Sequence, residues 1–299
     1  MNAQTYPGAS KAYWYGQLYP GVAMTVNTVV LHTTEGRTLT SYAGGKNAPN
    51  LTAVPDFAAK RLVWYQHFPF DSSSRALVNK LGGVETNILN VSQVELVGTC
   101  SAQTHEEWGD KPHIYWPQAP EWALRELAKF LAWTHTEHGV PLAGPKDWPP
   151  YPKSYGATDA RMTASEWTAF SGVCGHLHAP ENVHGDPGAL PFARLIGYAK
   201  EYAGIAVVKK PVVDLSNVIR AFGNYPANPA ITAVKVIQVA LTAEKLYAGK
   251  IDGLPSNKTK TAYKAWQRRC GFTGSAADGV PGNDSLTKLG TAHGFGVKA

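Results

Sequence analysis

An α/β body followed by a small, mainly helical C-terminal domain is the fold that this 299-residue sequence predicts. Three observations lead there. Short β-rich runs alternate with stretches of helical periodicity through residue 202, the pattern of strands layered against helices. Beyond that point an Asp-Gly turn precedes a helix twice, at Asp252-Gly253 and Asp278-Gly279, a weak internal repeat. Charge divides at the same place: residues 206–299 carry 13 Lys/Arg against 5 Asp/Glu, whereas residues 1–205 carry 15 against 17. The length fits two domains at roughly 100–200 residues each. The boundaries read as 1–204 for the body, 205–230 for a linker and 231–299 for the tail.

Residues 26–32 (VNTVVLH) are β-rich and run out into Thr33-Thr34-Glu35-Gly36, a strand ending in a loop. Residues 91–99 (VSQVELVGT) form a second short run of strand character. The clearest helix covers residues 119–138. Leu124, Leu127, Ala128 and Leu131 recur there at helical spacing, Pro120 and Glu121 suit the first turn, and Gly139 suits the stop. Residues 141–155 hold five prolines and must be a loop. Residues 188–202 read as the last helix of the body. A connector over 205–214 is centred on Lys209-Lys210-Pro211, and the tail then reads as helices at 231–246, 258–269 and 285–289.

Composition sets limits on function. With 44% apolar and 17% charged residues the chain can build a core and is not disordered. No run approaches the roughly 18 apolar residues of a membrane span. Residues 1–21 lack a basic start followed by an apolar run, so synthesis in the cytoplasm without a signal peptide is expected. Cys100, Cys174 and Cys270 are too scattered for a disulfide framework or a four-cysteine zinc site. The tail's net +8 seeks a polyanion, either nucleic acid or an anionic polymer of a bacterial envelope. No helix-turn-helix, zinc-finger spacing or Arg-rich helix supports nucleic acid, and the tail is poor in aromatics. Neither a G-x-x-x-x-G-K phosphate loop nor a G-x-S-x-G elbow is present.

The densest chemical signal is the stretch from Cys174 to Gly188, where His176, His178, His184 and Asp186 fall among glycines and prolines that forbid a regular helix. A catalytic zinc needs three N, O or S ligands and one open position. This loop can supply two, and His32 at the end of the first strand can supply the third. Any one of these histidines alone is more simply read as solvated, but the cluster together with His32 makes that the weaker account. Cys174 reads as a small buried residue rather than a nucleophile. His135 and His138, three apart at a helix end, read as structural or solvated.

His32-Thr-Thr-Glu at a strand end, Val-Glu95-Leu-Val-Gly on a later strand, and Gly-His176 followed by Asp186-Pro-Gly resemble the type-2 zinc N-acetylmuramoyl-L-alanine amidases related to peptidoglycan recognition proteins. The resemblance covers residues 26–202 and is closest to cell-wall lysins of actinobacteriophages. It implies a mixed central sheet flanked by helices. It implies His32, His176 and Asp186 as zinc ligands and Glu95 as the carboxylate that activates the attacking water. It places His184 where many members have a lysine that steadies the oxyanion. His178 is the rival ligand, and the spacing to Asp186 favours His176. Where some members carry a Tyr-His-Phe segment, the comparable stretch here reads as Pro55-Asp56-Phe57, so no tyrosine is assigned. The tail resembles helical peptidoglycan-binding domains, through Val239-Ala-Leu241, Asp252-Gly253, Ala265-Trp266-Gln267, Asp278-Gly279, Leu286 and Leu289.

Together these imply a monomeric endolysin with Zn2+ as cofactor and bacterial peptidoglycan as partner, with no nucleic acid and no membrane involved. It would cut the amide between N-acetylmuramic acid and L-alanine after release with the help of a phage holin. The competing expectation is a non-catalytic peptidoglycan receptor, although relatives that only bind have lost a zinc ligand.

Overall fold

The computed structural model describes residues 3–77, 79–87, 90–206, 211–223 and 230–298, so Lys209 and Lys210 lie outside the described residues. The chain forms two compact units, Met1–Val207 and Val208–Ala299. Among the described residues no helix is long and apolar enough to cross a membrane.

The first unit is mixed α/β. Its sheet has strands β1 (Thr28–Thr33), β2 (Leu51–Asp56), β3 (Arg61–Gln66), β4 (Val91–Leu96) and β5 (Gly172–Gly175), in the order β3-β2-β4-β1-β5. β1 runs parallel to β4 and β5, β2 runs parallel to β4, and β3 is antiparallel to β2. Helices flank the sheet. After the short turn α1 (Tyr42–Gly45) come α2 (Ala102–Trp108), the long α3 (Glu121–His138), α4 (Ala164–Ala169) and α5 (Phe192–Tyr202).

Strand periodicity divides the sheet into two chemically different faces. Val29, Leu31, Leu51, Ala53, Val94, Leu96 and Val173 point into the main core, where they meet Leu124, Leu127 and Leu131 of α3 and Leu195 and Ala199 of α5. The other face begins apolar, with Val30, Val91 and Cys174 packed against Trp167 of α4. Towards the C-terminal ends of β1 and β4 that face turns polar, presenting His32, Gln93 and Glu95, with Thr52 alongside on β2. Ligands of open α/β sheets gather at the carboxyl ends of strands.

β2, β3 and β5 have no counterpart among the expected elements. β5 (GVCG) is four residues with a glycine at each end, and Pro55 and Asp56 dilute the strand signal of β2. β3 (RLVWYQ) does carry a legible strand signal in its run of Val63, Trp64 and Tyr65.

In the second unit, β6 (Val212–Asp214), α6 (Leu215–Gly223), α7 (Ile231–Ala243), α8 (Asn257–Arg269), α9 (Asn283–His293) and β7 (Gly296–Lys298) surround their own core. The stretch 205–230, expected as a linker, therefore contains a strand and a helix. β6 pairs in parallel with β7, and Val213, Leu215, Val218 and Phe222 are buried in this core. The i, i+3, i+7 spacing of Leu215, Val218 and Phe222 is the helical pattern that Lys209-Lys210-Pro211 overshadowed.

The Asp-Gly repeat has a common construction. Gln238 of α7 accepts from the Gly253 N–H (2.8 Å) and donates to Asp252 Oδ1 (3.0 Å) and the Leu254 carbonyl (3.1 Å). Gln267 of α8 accepts from the Gly279 N–H (2.7 Å) and donates to Asp278 Oδ1 (3.1 Å) and the Val280 carbonyl (2.9 Å). Both glycines have positive φ, +81° and +88°, so each turn needs a residue free of a Cβ penalty. Trp266, Leu286 and Leu289 are buried, and the Trp266 indole N–H donates to the Ser285 carbonyl at 2.8 Å.

Candidate metal centre

β1 delivers His32 to the polar end of the sheet, and β5 leads into a 3-10 turn (His176–His178) that brings His176 beside it. Asp186 returns from the loop that follows and accepts the Thr33 N–H at 3.1 Å. His32, His176 and Asp186 are 1%, 6% and 7% exposed, and their nearest N and O atoms all lie within 4.8 Å of one another.

The tautomers follow from the other ring nitrogens. His32 Nε2 lies 3.0 Å from Gln93 Oε1, an oxygen that can only accept, so Nε2 carries the proton and Nδ1 is a bare lone pair. His176 Nε2 faces Asn182 Oδ1 at 3.4 Å, which leaves its Nδ1 bare by the same reasoning. Gln93 is itself oriented by donating to Asn87 Oδ1. The two Nδ1 atoms stand 3.0 Å apart, with Asp186 Oδ1 3.2 Å from His176 Nδ1 and Asp186 Oδ2 3.6 Å from His32 Nδ1.

Two lone pairs and a carboxylate converging this closely repel one another unless a cation sits among them. A tetrahedral zinc with bonds of about 2.0–2.1 Å separates its ligand atoms by about 3.3 Å, a value these distances bracket. The donor set fits a metal ion.

Protonation agrees with this geometry. Burial, and then the neighbouring His176, push His32 down to about 3, against the pull of Asp186. Burial alone would raise Asp186. The neighbouring His176 and His32 rings and the Thr33 amide outweigh that and hold the carboxyl well below the usual carboxylate range.

Glu95 is the register partner of His32 on β4. Its Oε2 is buried and has no hydrogen-bond partner among the described residues. Burial, followed by the charges of Asp186 and Glu35, raises its carboxyl well above the ordinary value. His184 lies exposed over His176, the rings 4.9 Å apart and 6° from parallel. Burial of part of the ring, then His176, lowers its pKa, so at neutral pH it offers a neutral N–H more than a charge.

The rival residues have structural partners. His178 accepts the Gly175 N–H on Nδ1 and donates from Nε2 to the Asp147 carbonyl, each at 2.9 Å, so both ring nitrogens are committed within its loop. Cys100, Cys174 and Cys270 are free thiols, and burial raises Cys174 far from thiolate chemistry. His135 contacts the Val140 carbonyl and His138 the Ala3 carbonyl. Asp56 accepts from the Ala59 N–H in the β2–β3 turn and pairs with Arg61.

Several residues of the site were not anticipated. Tyr42 reaches this face from the loop after β1, with φ at +52°. Its hydroxyl lies 2.7 Å from Thr52 Oγ1, which lies 2.9 Å from His67 Nε2, and the opposite His67 nitrogen donates to the Tyr13 carbonyl at 2.8 Å. That carbonyl fixes the whole relay: Tyr42 donates to Thr52 and Thr52 donates to His67. Thr52 is in register with Glu95, so the Tyr42 hydroxyl bonded to it neighbours Glu95, and burial, then the Glu95 charge, raises that hydroxyl. No sequence spacing pointed to it, because its reach depends on an unusual backbone turn.

Arg161 likewise carries no signal in the sequence. Its guanidinium donates to the carbonyls of Gly156 (2.8 Å), His176 (3.4 Å), Ala179 (2.6 Å) and His184 (2.9 Å), clamping the loop that carries the ligands. Glu35, at φ +47°, accepts from the Thr33 hydroxyl, the Thr99 hydroxyl and the Cys100 N–H. The sequence signal for Glu35 was its place in His32-Thr-Thr-Glu.

No protein-family profile and no curated protein matches the chain. Solved structures similar to it include the catalytic domain of XlyA, at 14% identity over 62% of this chain and 90% of that one, with a TM-score of 0.31. A mutant endolysin from Bacillus subtilis is 14% identical over 68% of this chain and 96% of its own, with a TM-score of 0.31. AmpDh3 from Pseudomonas aeruginosa is 16% identical over 98% and 99%, with a TM-score of 0.35. Likenesses this distant leave the functional reading to the geometry of the site.

Proposed function

We propose that this chain is a zinc-dependent N-acetylmuramoyl-L-alanine amidase. It would hydrolyse the amide joining the lactyl group of N-acetylmuramic acid to L-alanine in peptidoglycan, as a monomeric cell-wall-lysing endolysin that reaches the wall with the help of a holin. The observation that carries the reading is the convergence of two bare imidazole nitrogens and a carboxylate beside a glutamate whose buried oxygen lacks a partner.

His32, His176 and Asp186 would hold the zinc, which supplies a Lewis acid able to polarise a carbonyl and acidify water. Gln93 and Asn182 keep both imidazoles in the ligating tautomer. Glu95 takes the proton of the attacking water on its free Oε2 and passes it to the alanine nitrogen as the C–N bond breaks. Its raised proton affinity suits a group that must accept a proton and then return it. His184, held over His176, donates its N–H toward the oxygen on which negative charge develops. The basic second unit would keep the enzyme on its insoluble anionic substrate, raising effective concentration without adding chemistry.

Glu95→Gln tests the reading against a receptor that only binds. The variant is expected to sediment with purified sacculi as the wild type does, while solubilisation falls by about 10²–10⁴-fold, the range for loss of a general base. Wild-type protein that binds zinc and sacculi yet solubilises nothing would establish the receptor instead.

A further inference from the structure

Four aromatic rings form a series from the metal centre to the surface. His184 covers His176 at 4.9 Å, Tyr155 lies 6.4 Å from His184, and Tyr151 lies 6.4 Å from Tyr155, edge to face at 88°. Tyr155 is 52% and Tyr151 38% exposed. Exposed aromatics are ordinary when single, but two of them adjoining a polar centre form a recognition surface with an apolar body and a polar tip.

The strip is rigidly mounted. The Ser154 hydroxyl donates to the Gly185 carbonyl at 2.6 Å, the Gly156 N–H to the Val183 carbonyl at 2.7 Å, and the Tyr155 N–H to the Pro152 carbonyl at 3.0 Å. A Cβ on Gly185 would fall 2.6 Å from Ser154 Oγ and 2.8 Å from the Tyr155 nitrogen, so only glycine lets the two loops meet. A ligand docking on these rings need not order them first. Neither tyrosine has a part in the hydrolytic chemistry above.

We propose that Tyr155 and Tyr151 form a pyranose-stacking subsite for the glycan strand beside the reacting amide. The inference rests on the amidase reading, because in that substrate only an ether oxygen and one carbon separate the sugar ring from the carbonyl carbon attacked, so the ring must rest close to His184. The ring faces of an N-acetylhexosamine are lined with C–H bonds that pack on aromatic faces, and its hydroxyls suit the phenols. The segment from Pro150 to Gly156 carries Lys153 as its one ionic side chain and no carboxylate, so it offers nothing to the amines of a stem peptide. The charged side chains Glu35 and Arg37 belong to a different loop, where Arg37 sits 5.9 Å over the Trp108 ring.

The test compares a disaccharide-peptide (GlcNAc-MurNAc carrying the stem) with a sugar-free N-lactyl peptide of the same sequence. Tyr155→Ala is expected to lower the ratio of kcat/KM for the first over the second by about tenfold, mainly through KM, and Tyr151→Ala to lower it less. Tyr155→Phe keeps the ring and is expected to hold the ratio. Equal losses on both substrates, or losses that follow peptide length, would overturn the subsite. Calorimetric titration of the free disaccharide separates this from failure of the amidase reading. Should the wild type cut neither substrate, binding that weakens in Tyr155→Ala still supports the subsite, and no binding, or binding unchanged by the substitution, removes it.

Discussion

His176 and His178 are two positions apart and do opposite things. One leaves a bare Nδ1 3.0 Å from that of His32, whereas the other spends both nitrogens on its own loop. The difference lies in hydrogen-bond partners, which a spacing argument can favour but not see. His178 also makes a prediction about stability. Burial lowers it from 6.5 to about 4, and His67 is lowered likewise to about 4. Above pH 6.5 neither the folded nor the unfolded chain protonates these rings. Below it the unfolded chain gains protons that the fold refuses, so stability falls with pH and the full loss is reached below about pH 4. For His178 alone the loss is on the order of 3 kcal/mol. Metal-free wild type should therefore show a falling Tm from pH 6.5 to 4, and His178→Gln a flatter profile from a lower start. Parallel profiles would contradict the assignment.

Arg161 acts at the same scale through backbone oxygens. It spans the carbonyls of His176, Ala179 and His184, and no lysine can reproduce that fork from a single ammonium. Arg161→Lys and Arg161→Ala should weaken zinc binding by about 10–100-fold, measured by competition with a chromophoric chelator, because the loop that carries the ligands loses its clamp. Unchanged affinity would show that the loop holds itself.

At the scale of elements, what the sequence made legible were features with a strong period or a dense chemistry. The face of α3 read directly, since Leu124, Leu127 and Leu131 repeat at helical spacing and are all fully buried. β1 and β4 read from β-branched runs, and those strands place His32 and Glu95 side by side. Short or interrupted strands did not read, and neither did groups such as Tyr42, Gln93 and Arg161, whose roles arise from long-range contacts. The Asp-Gly repeat was visible, but its cause was not: one buried glutamine from the preceding helix holds each turn. Gln267→Ala should leave the Gly279 N–H and the Val280 carbonyl without their partner, at a cost of about 2–4 kcal/mol to the second unit. Amide exchange should accelerate at Gly279 by at least about tenfold while Gly253, held by Gln238, stays protected. Equal acceleration at both turns would mean that the two halves unfold together.

At the scale of the whole molecule, a neutral-to-acidic first unit and a basic second unit would, on the proposed reading, divide chemistry from retention. The proposed amidase would use a metal held by His32, His176 and Asp186 in cleaving the lactyl–alanine amide. The most direct test is digestion of purified actinobacterial peptidoglycan by the full chain, before chelation, after it, and after zinc is returned, with the products read by mass spectrometry. The amidase reading predicts stem peptides beginning with an unblocked L-alanine, lost on chelation and restored by zinc. New reducing sugar ends, or peptide release indifferent to chelation, would contradict it.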